Sequence, residues 1–257
     1  MALLTQLSLA NARKLLEDYG LGLAEIEPLA AGSVNSNFRV VTESGERYFA
    51  RIYEEQNHQG ALAELQIVSE LERARVPVAK AVPRLDGELV HEIHGKPFAL
   101  YPWLDGEILC QGRVDVGAAR AVGAALGRLH QCGDRFSSLG SGRYGPVECA
   151  ARLDLVEARG DADLRAAARF VRQKYAEYLP RRSSDLPQGL IHSDLFRDNV
   201  LWRGGEILAL IDFESASKGP YLYDLMVTLL AWCYSDHLEQ ELATALLNGY
   251  AGVRSLG

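Results

Sequence analysis

The chain has 257 residues, 48% of them hydrophobic and 24% charged, a balance that suits a globular protein with one large core or two lobes. Its 27 basic and 34 acidic residues leave a net charge of −7, which argues against a general nucleic-acid binder. No run is apolar for long enough to cross a bilayer, because the best candidate, residues 222–234, is short and contains Asp224.

Taken in order, Ser8 predicts the N-cap of a helix through Asn11, Lys14, Leu15 and Leu16 that ends near Tyr19 and Gly20. A strand is expected over 24–29, a turn at Ala31-Gly32-Ser33, and a second arm over 34–41. The small and amide side chains Ser33, Asn35 and Asn37 could lie over phosphates, where a kinase places its Gly-rich loop. A third strand follows at Arg47–Tyr53, and Arg51 occupies the place of the phosphate-binding Lys of a kinase strand. A guanidinium reaches phosphate oxygens in bidentate fashion, so the exchange keeps that role.

Apolar residues at Leu62, Leu65, Val68 and Leu71 predict a helix over 60–74, stopped by Pro77. Its Glu64 is either an ion-pair partner for Arg51 or an exposed surface acid. Two strands are expected around 82–90, broken at Asp86-Gly87, and another at 98–101. The stretch Pro102–Gly106 reads as a connector, and the backbone groups of Tyr101 and Trp103 are candidates to read an adenine edge.

The periodicity then turns helical. A long amphipathic helix is expected over 114–132, with His130 in a packing or capping role at its end, and further helices over 149–158 and 162–178. Residues 136–146 and Arg181-Arg182 read as loops. An apolar helix after Asp224 and another over 238–250 close the chain, and Asp224, at the start of the first, is expected to accept backbone N–H bonds as a structural cap that braces the segment before it. The four cysteines, Cys110, Cys132, Cys149 and Cys233, lack CxxC spacing, and no signal peptide pattern opens the chain, so reduced thiols in a cytoplasmic enzyme are expected.

The chemistry concentrates between Gly189 and Leu225. His192, Asp194, Leu195 and Asn199 have the spacing H-x-D-L-x-x-x-N, and after a hairpin built on Arg203-Gly204-Gly205 comes Asp212-Phe213. Phosphoryl transfer needs a carboxylate to orient and deprotonate the acceptor hydroxyl, and oxygen ligands that hold magnesium against the phosphates. Asp194 fits the first need and Asn199 with Asp212 the second, while His192 is expected to pack and fix the loop. Ser193 and Glu214 depart from the protein-kinase pattern, which has Arg and Gly there.

With Gly32–Phe38, Val76-Pro77-Val78, Gly95-Lys96-Pro97, Leu195–Leu201 and Leu222–Leu225, the chain resembles the aminoglycoside phosphotransferase and choline kinase superfamily, and within it the homoserine kinases. The resemblance implies an α+β, two-lobed protein-kinase-like fold. An antiparallel sheet with helices forms an N-terminal nucleotide-binding lobe over 1–102, and a mainly helical lobe for catalysis and acceptor binding spans 103–257. It also implies ATP as donor, Mg2+ as cofactor and the side-chain hydroxyl of L-homoserine, a precursor of threonine, as acceptor. Carried onto this chain, Asp194 is the base, Asn199 and Asp212 are the metal ligands and Arg51 is the phosphate contact. Ser193 stands where such enzymes commonly have Gly, and more C-terminal helix is expected beyond Gly257. Another hydroxylated metabolite (choline, ethanolamine, an aminoglycoside or a sugar) is the alternative acceptor. A nucleotide-binding module without transfer is the second alternative, against which the intact Asp194, Asn199 and Asp212 argue.

Overall fold

Local signals set the helix starts. Ser8 Oγ accepts from Asn11 N at 3.2 Å and opens α1 (Leu9–Glu17), and Asn57 Oδ1 accepts from Gly60 N at 2.9 Å at the start of α2 (His58–Arg73). Asp115 Oδ1 receives Ala118 N at 2.7 Å before α3 (Val116–Gln131), and Pro146 occupies the first turn of α4 (Pro146–Arg159). Asp161 Oδ1 receives Leu164 N at 2.9 Å before α5 (Ala162–Tyr178). Each such cap satisfies an N–H that the helix cannot, and contributes about 1 kcal/mol.

The structure is a computed structural model that describes residues 5–30, 34–136, 139–140, 142–181, 183 and 185–256, with only the backbone of Asp134. Ser33 and the rest of the expected 31–33 turn lie outside the described residues, as does Arg182. The chain forms two compact units, one of residues up to Leu109 with Asp198–Glu214, the other of Cys110–Arg197 with Ser215 onward.

The first unit is built on a five-stranded antiparallel sheet in the order β1-β2-β3-β5-β4: β1 (Leu23–Leu29), β2 (Ser36–Thr42), β3 (Arg47–Ile52), β4 (His91–Ile93) and β5 (Lys96–Pro102). Successive strand residues point to opposite faces. Ala50, Ile52, Phe98 and Leu100 therefore share one face, buried with Ala12, Leu15, Leu16 and Tyr19 of the α1 region. Tyr53, Ala99 and Tyr101 take the other face, buried with Ala61 and Leu65 of α2 and flanked by Phe49. Truncating the fully buried Leu100 to Ala would cost about 2–5 kcal/mol through lost burial and the cavity left behind.

The same unit holds the hairpin β7 (Val200–Arg203) and β8 (Glu206–Leu210), turned by Gly204 and Gly205 at φ +61° and +84°, as a two-residue turn of this hand requires. Leu210 N donates to Pro77 O at 2.7 Å, and Glu107 and Trp202 exchange N–H···O bonds at 2.8 and 2.9 Å. Those bonds stitch the hairpin to the residues after α2 and after β5.

Residues 82–90, all of them described, contain no strand, which corrects the two expected there; the short edge strand is β4, just beyond. Pro83 has no N–H to give a ladder. Nearby donors go elsewhere: Val82 N to Leu100 O at 2.7 Å, Leu85 N to Asp18 O at 2.8 Å, and Arg84 N across the turn to Glu88 O at 2.8 Å.

In the second unit, β6 (Gln188–Ile191) pairs antiparallel with β9 (Ser217–Pro220), which leads into α6 (Tyr221–Cys233) and then α7 (Gln240–Ala251). The helix α7 lies against α3 at very short range. A Cβ on Gly123 would fall 2.0 Å from Leu246 O, and one on Gly249 would fall 2.0 Å from Arg120 O. The helices α4 and α5 pair with each other, and Arg172 bridges Asp154 and Glu157 at 2.6 and 2.9 Å. All four cysteines are free thiols, and among the described residues no helix is long and apolar enough to cross a membrane.

Candidate active site

Strand alternation sends Arg51 to the face it shares with Phe49 and Tyr53, toward α2. Its Nη1 donates to Asp212 Oδ1 at 3.3 Å, and its Nε donates to Asn37 Oδ1 at 3.4 Å. Asn37 is there because the β2/β3 register sets it directly opposite Arg51. Glu64 Oε1 stands 3.9 Å from Nη1, so Glu64 is a buried partner of Arg51 rather than a surface acid. Burial works to lower the Arg51 pKa, but Asp212, Tyr101, Tyr53 and Glu64 outweigh it and the guanidinium stays charged.

The acids around Arg51 are unequal. Burial pushes the Glu64 carboxyl up to about 7; Arg51 opposes that rise, while the charges of Asp212 and Glu214 add to it. Gln56 Nε2 donates to Glu64 Oε2 at 3.2 Å, and the Tyr53 hydroxyl reaches its other oxygen at 3.5 Å. The Tyr53 and Tyr101 hydroxyls share a hydrogen bond of 2.8 Å. Burial raises the pKa of each well out of the physiological range.

Asp212 follows β8 in a left-handed backbone, φ +64°, that Asp tolerates better than most residues, and its side chain is one-third exposed. Ile211 N donates to Asn199 O at 3.0 Å, which stitches the backbone before Asp212 to that of Asn199. An amide oxygen and a carboxylate oxygen are hard donors, and magnesium takes one or two of these from a protein and fills its shell with phosphate and water. The pair therefore fits that ion. Among the described residues no three His, Cys, Asp or Glu side chains cluster into an all-protein metal cage.

Asn35 is buried, and its amide is engaged on both sides. Its Nδ2 donates to Glu214 Oε2 at 2.7 Å and its Oδ1 accepts from Glu54 N at 3.1 Å, so the start of β2 is fastened to the segment just after Asp212. The expected connector begins where β5 ends. There the Trp103 N–H donates to Arg47 O at 3.1 Å, which commits that donor to the sheet. The Trp103 indole donates to Asp105 Oδ1 at 3.2 Å.

In the second unit, residues 192–197 are pinned from α6. Asp224 Oδ2 accepts from His192 N and Oδ1 from Ser193 N, both at 2.7 Å, the bracing role expected from the sequence. Trp232 Nε1 donates to Leu195 O at 3.0 Å, and Arg197 Nη1 donates to Ala231 O. Asp194 is partly exposed between these anchors, and its own carbonyl accepts from Phe196 N at 2.8 Å. His192 is fully buried, as its expected packing role requires. Ser193 has φ +69°, a conformation Gly adopts freely and Ser does not, which gives a physical reason for Gly at this position.

Asp224 is fully buried, and burial alone would raise its pKa. The hydrogen bond from His130, with that of the His192 backbone N–H behind it, holds it below the ordinary value instead. His130 Nε2 lies 3.0 Å from Asp224 Oδ2. This contact, like those of Arg51 with Asp212 and of Asn35 with Glu214, joins residues remote in sequence, and no local motif announces it. The Asn37 contact was accessible once the hairpin register was known.

Residues 25–256 match the model of the APH family, described as a phosphotransferase enzyme family. The chain is 34% identical to a homoserine kinase of Chelativorans sp. (strain BNC1) over 260 residues, all of this chain and 80% of that protein. It is 31% identical to a homoserine kinase of Neisseria meningitidis serogroup B, over its whole length and 83% of that protein. Among solved structures, a microcompartment-associated aminopropanol kinase superposes with a TM-score of 0.74 over 97% of this chain and 82% of that one, at 18% identity. A spectinomycin phosphotransferase in complex with ADP and its antibiotic gives 0.73 over 96% and 80%, at 16% identity. These likenesses establish the protein-kinase-like fold of small-molecule phosphotransferases. The chain belongs to the APH phosphotransferase enzyme family.

Proposed function

We propose that this chain transfers the γ-phosphate of ATP to the side-chain hydroxyl of L-homoserine. The observation that carries the reading is the set Asp194, Asn199 and Asp212 in an intact catalytic segment, in a chain whose homoserine kinase relatives match it end to end. Asp194, held in a loop that Asp224 braces through two backbone N–H groups, orients the acceptor hydroxyl and takes its proton late in the transfer. Arg51 presents a fixed guanidinium to phosphate oxygens, and Asn37 and Asp212 hold its orientation. Asn199 and Asp212 would hold Mg2+, which when bound offsets the negative charge of the phosphates. Ser33, Asn35 and Asn37 are assigned to the phosphate side of the nucleotide, and Tyr101 with the carbonyl of Trp103, whose N–H is committed to Arg47 O, to the adenine side.

The test is ADP release from MgATP with L-homoserine, set against choline, ethanolamine, L-serine, a sugar and an aminoglycoside. Homoserine-dependent release is expected, and Asp194→Ala is expected to lower it by about 10²–10⁴-fold while ATP binding is kept. Asp212→Ala is expected to weaken binding of the metal-nucleotide complex instead. Release with another acceptor and none with homoserine would move the assignment within the family. Equal turnover by Asp194→Ala and the parent would remove Asp194 from its role.

A further inference from the structure

We propose that Tyr250 is a positioning residue for the catalytic loop and acts through His130. Its hydroxyl donates to Nδ1, fixes the imidazole as the tautomer protonated on Nε2, and so aims that proton at Asp224. The inference rests on the kinase reading above for its kinetic consequence, though not for its geometry. Tyr250 and His130 are both buried, and the Tyr250 hydroxyl lies 2.8 Å from His130 Nδ1. On the far side, Arg254 Nη1 donates to the same hydroxyl at 3.3 Å. Arg can only donate, so the hydroxyl accepts there and has its own proton left for Nδ1.

The other end of the imidazole agrees. Nε2 lies 3.0 Å from Asp224 Oδ2, an oxygen that also accepts His192 N–H. With the proton on Nδ1 instead, a nitrogen lone pair would face that carboxylate oxygen and Asp224 would lose a donor. Burial lowers the His130 pKa, against the pull of Asp224, so the ring is neutral and has one proton to place. Ring packing fixes its plane: Tyr221 lies against His130 with centroids 4.4 Å apart, and the Arg254 guanidinium covers Tyr221 from 4.3 Å. A polarised chain thus runs from Arg254 through Tyr250, His130 and Asp224 to the N–H groups of His192 and Ser193, the residue before Asp194. It gives the far end of α7 a hold on the geometry of the base.

Tyr250→Phe removes one oxygen and keeps the ring. The expected result is a fall in kcat of about tenfold with both KM values changed less than about twofold, because loop orientation is lost and binding groups are not. His130→Gln supplies an amide N–H in place of Nε2–H with no need of Tyr250, so in that background Tyr250→Phe is expected to change kcat by less than about twofold. Nitrogen NMR of labelled histidine should show His130 protonated on Nε2 in the parent and a mixture of tautomers in Tyr250→Phe. A kcat that Tyr250→Phe leaves unchanged, or a loss that persists in full in the His130→Gln background, would overturn the proposal. Should the parent phosphorylate no homoserine, the acceptor assignment fails alone. The NMR of the parent then decides, and a proton on Nδ1 overturns the proposal without any variant having to fold.

Discussion

Each unit contains a buried carboxylate that braces residues assigned to the chemistry, and the two have moved in opposite directions from their ordinary titration range. Asp224 is fully buried yet held low, whereas Glu64, also buried, is pushed up to about 7. The difference lies in their partners. Asp224 has two backbone donors at 2.7 Å and His130 at 3.0 Å, while the cationic partner of Glu64 is 3.9 Å away and is shared with Asp212 at 3.3 Å. Burial sets the cost of the charge, and the distance and number of donors decide whether the charge survives. Asp224 therefore keeps its charge down to acid pH, and Glu64 is a charge held on loan.

The sharpest way to break this comparison is Asp224→Ala. It strips the acceptor from two backbone N–H groups and from His130, and is expected to cost about 3–5 kcal/mol in urea unfolding. A loss below about 1 kcal/mol would show that the loop does not depend on this anchor.

Glu64→Gln should do the reverse. The folded pKa of Glu64 lies above its ordinary 4.5, so its proton is held more tightly in the fold than in the unfolded chain. The ionised form then opposes folding, with a penalty that is absent below that ordinary value, grows up to about 7 and is full above it. Stability of the parent relative to Glu64→Gln should drop by roughly 3 kcal/mol between pH 4.5 and pH 8. A flat difference across that range would refute the assigned shift.

In the second unit the sign is opposite. His130 is depressed below its ordinary 6.5 and kept neutral, so when the pH falls through that value the unfolded chain takes up the proton first and stability is lost. Asp224 adds a further loss at lower pH, through its own depressed range. Hydrogen exchange, corrected for its intrinsic rate, should show protection of residues 191–195 and α6 falling from pH 7.5 to pH 5 relative to β3 and α2. Parallel behaviour of the two regions would dissolve the contrast. The smallest effect is expected from Ser193→Gly, which relieves a left-handed backbone and should add about 1 kcal/mol to thermal or urea stability.

What could be read from the sequence was what is local. Caps at Ser8, the hairpin at Gly204-Gly205 and the spacing from His192 to Asn199 all rest on residues within a few positions or on a motif with fixed spacing. The strands expected at 82–90 failed because apolar composition outvoted Pro83 and because the donors there serve α1 and β5. The Trp103 N–H was hidden for a related reason, since its partner is Arg47, at the start of another strand. The contact of Arg51 with Asp212 spans 161 positions, and that of His130 with Asp224 spans 94. Neither has a local signature, and only the assembled fold makes them neighbours.

The seam where α3 meets α7 has a consequence for how this chain tolerates mutation. A methyl group at Gly249 has nowhere to go, and the residue after it is the tyrosine that reaches His130. Exposed positions of α7 such as Gln240 and Glu241 should accept nearly any residue, while the seam accepts almost none. A library of α7 variants selected only for folding and one selected for turnover should therefore agree at Gly249 and part company at Tyr250, which separates the residue that lets the helices meet from the one that makes use of the meeting.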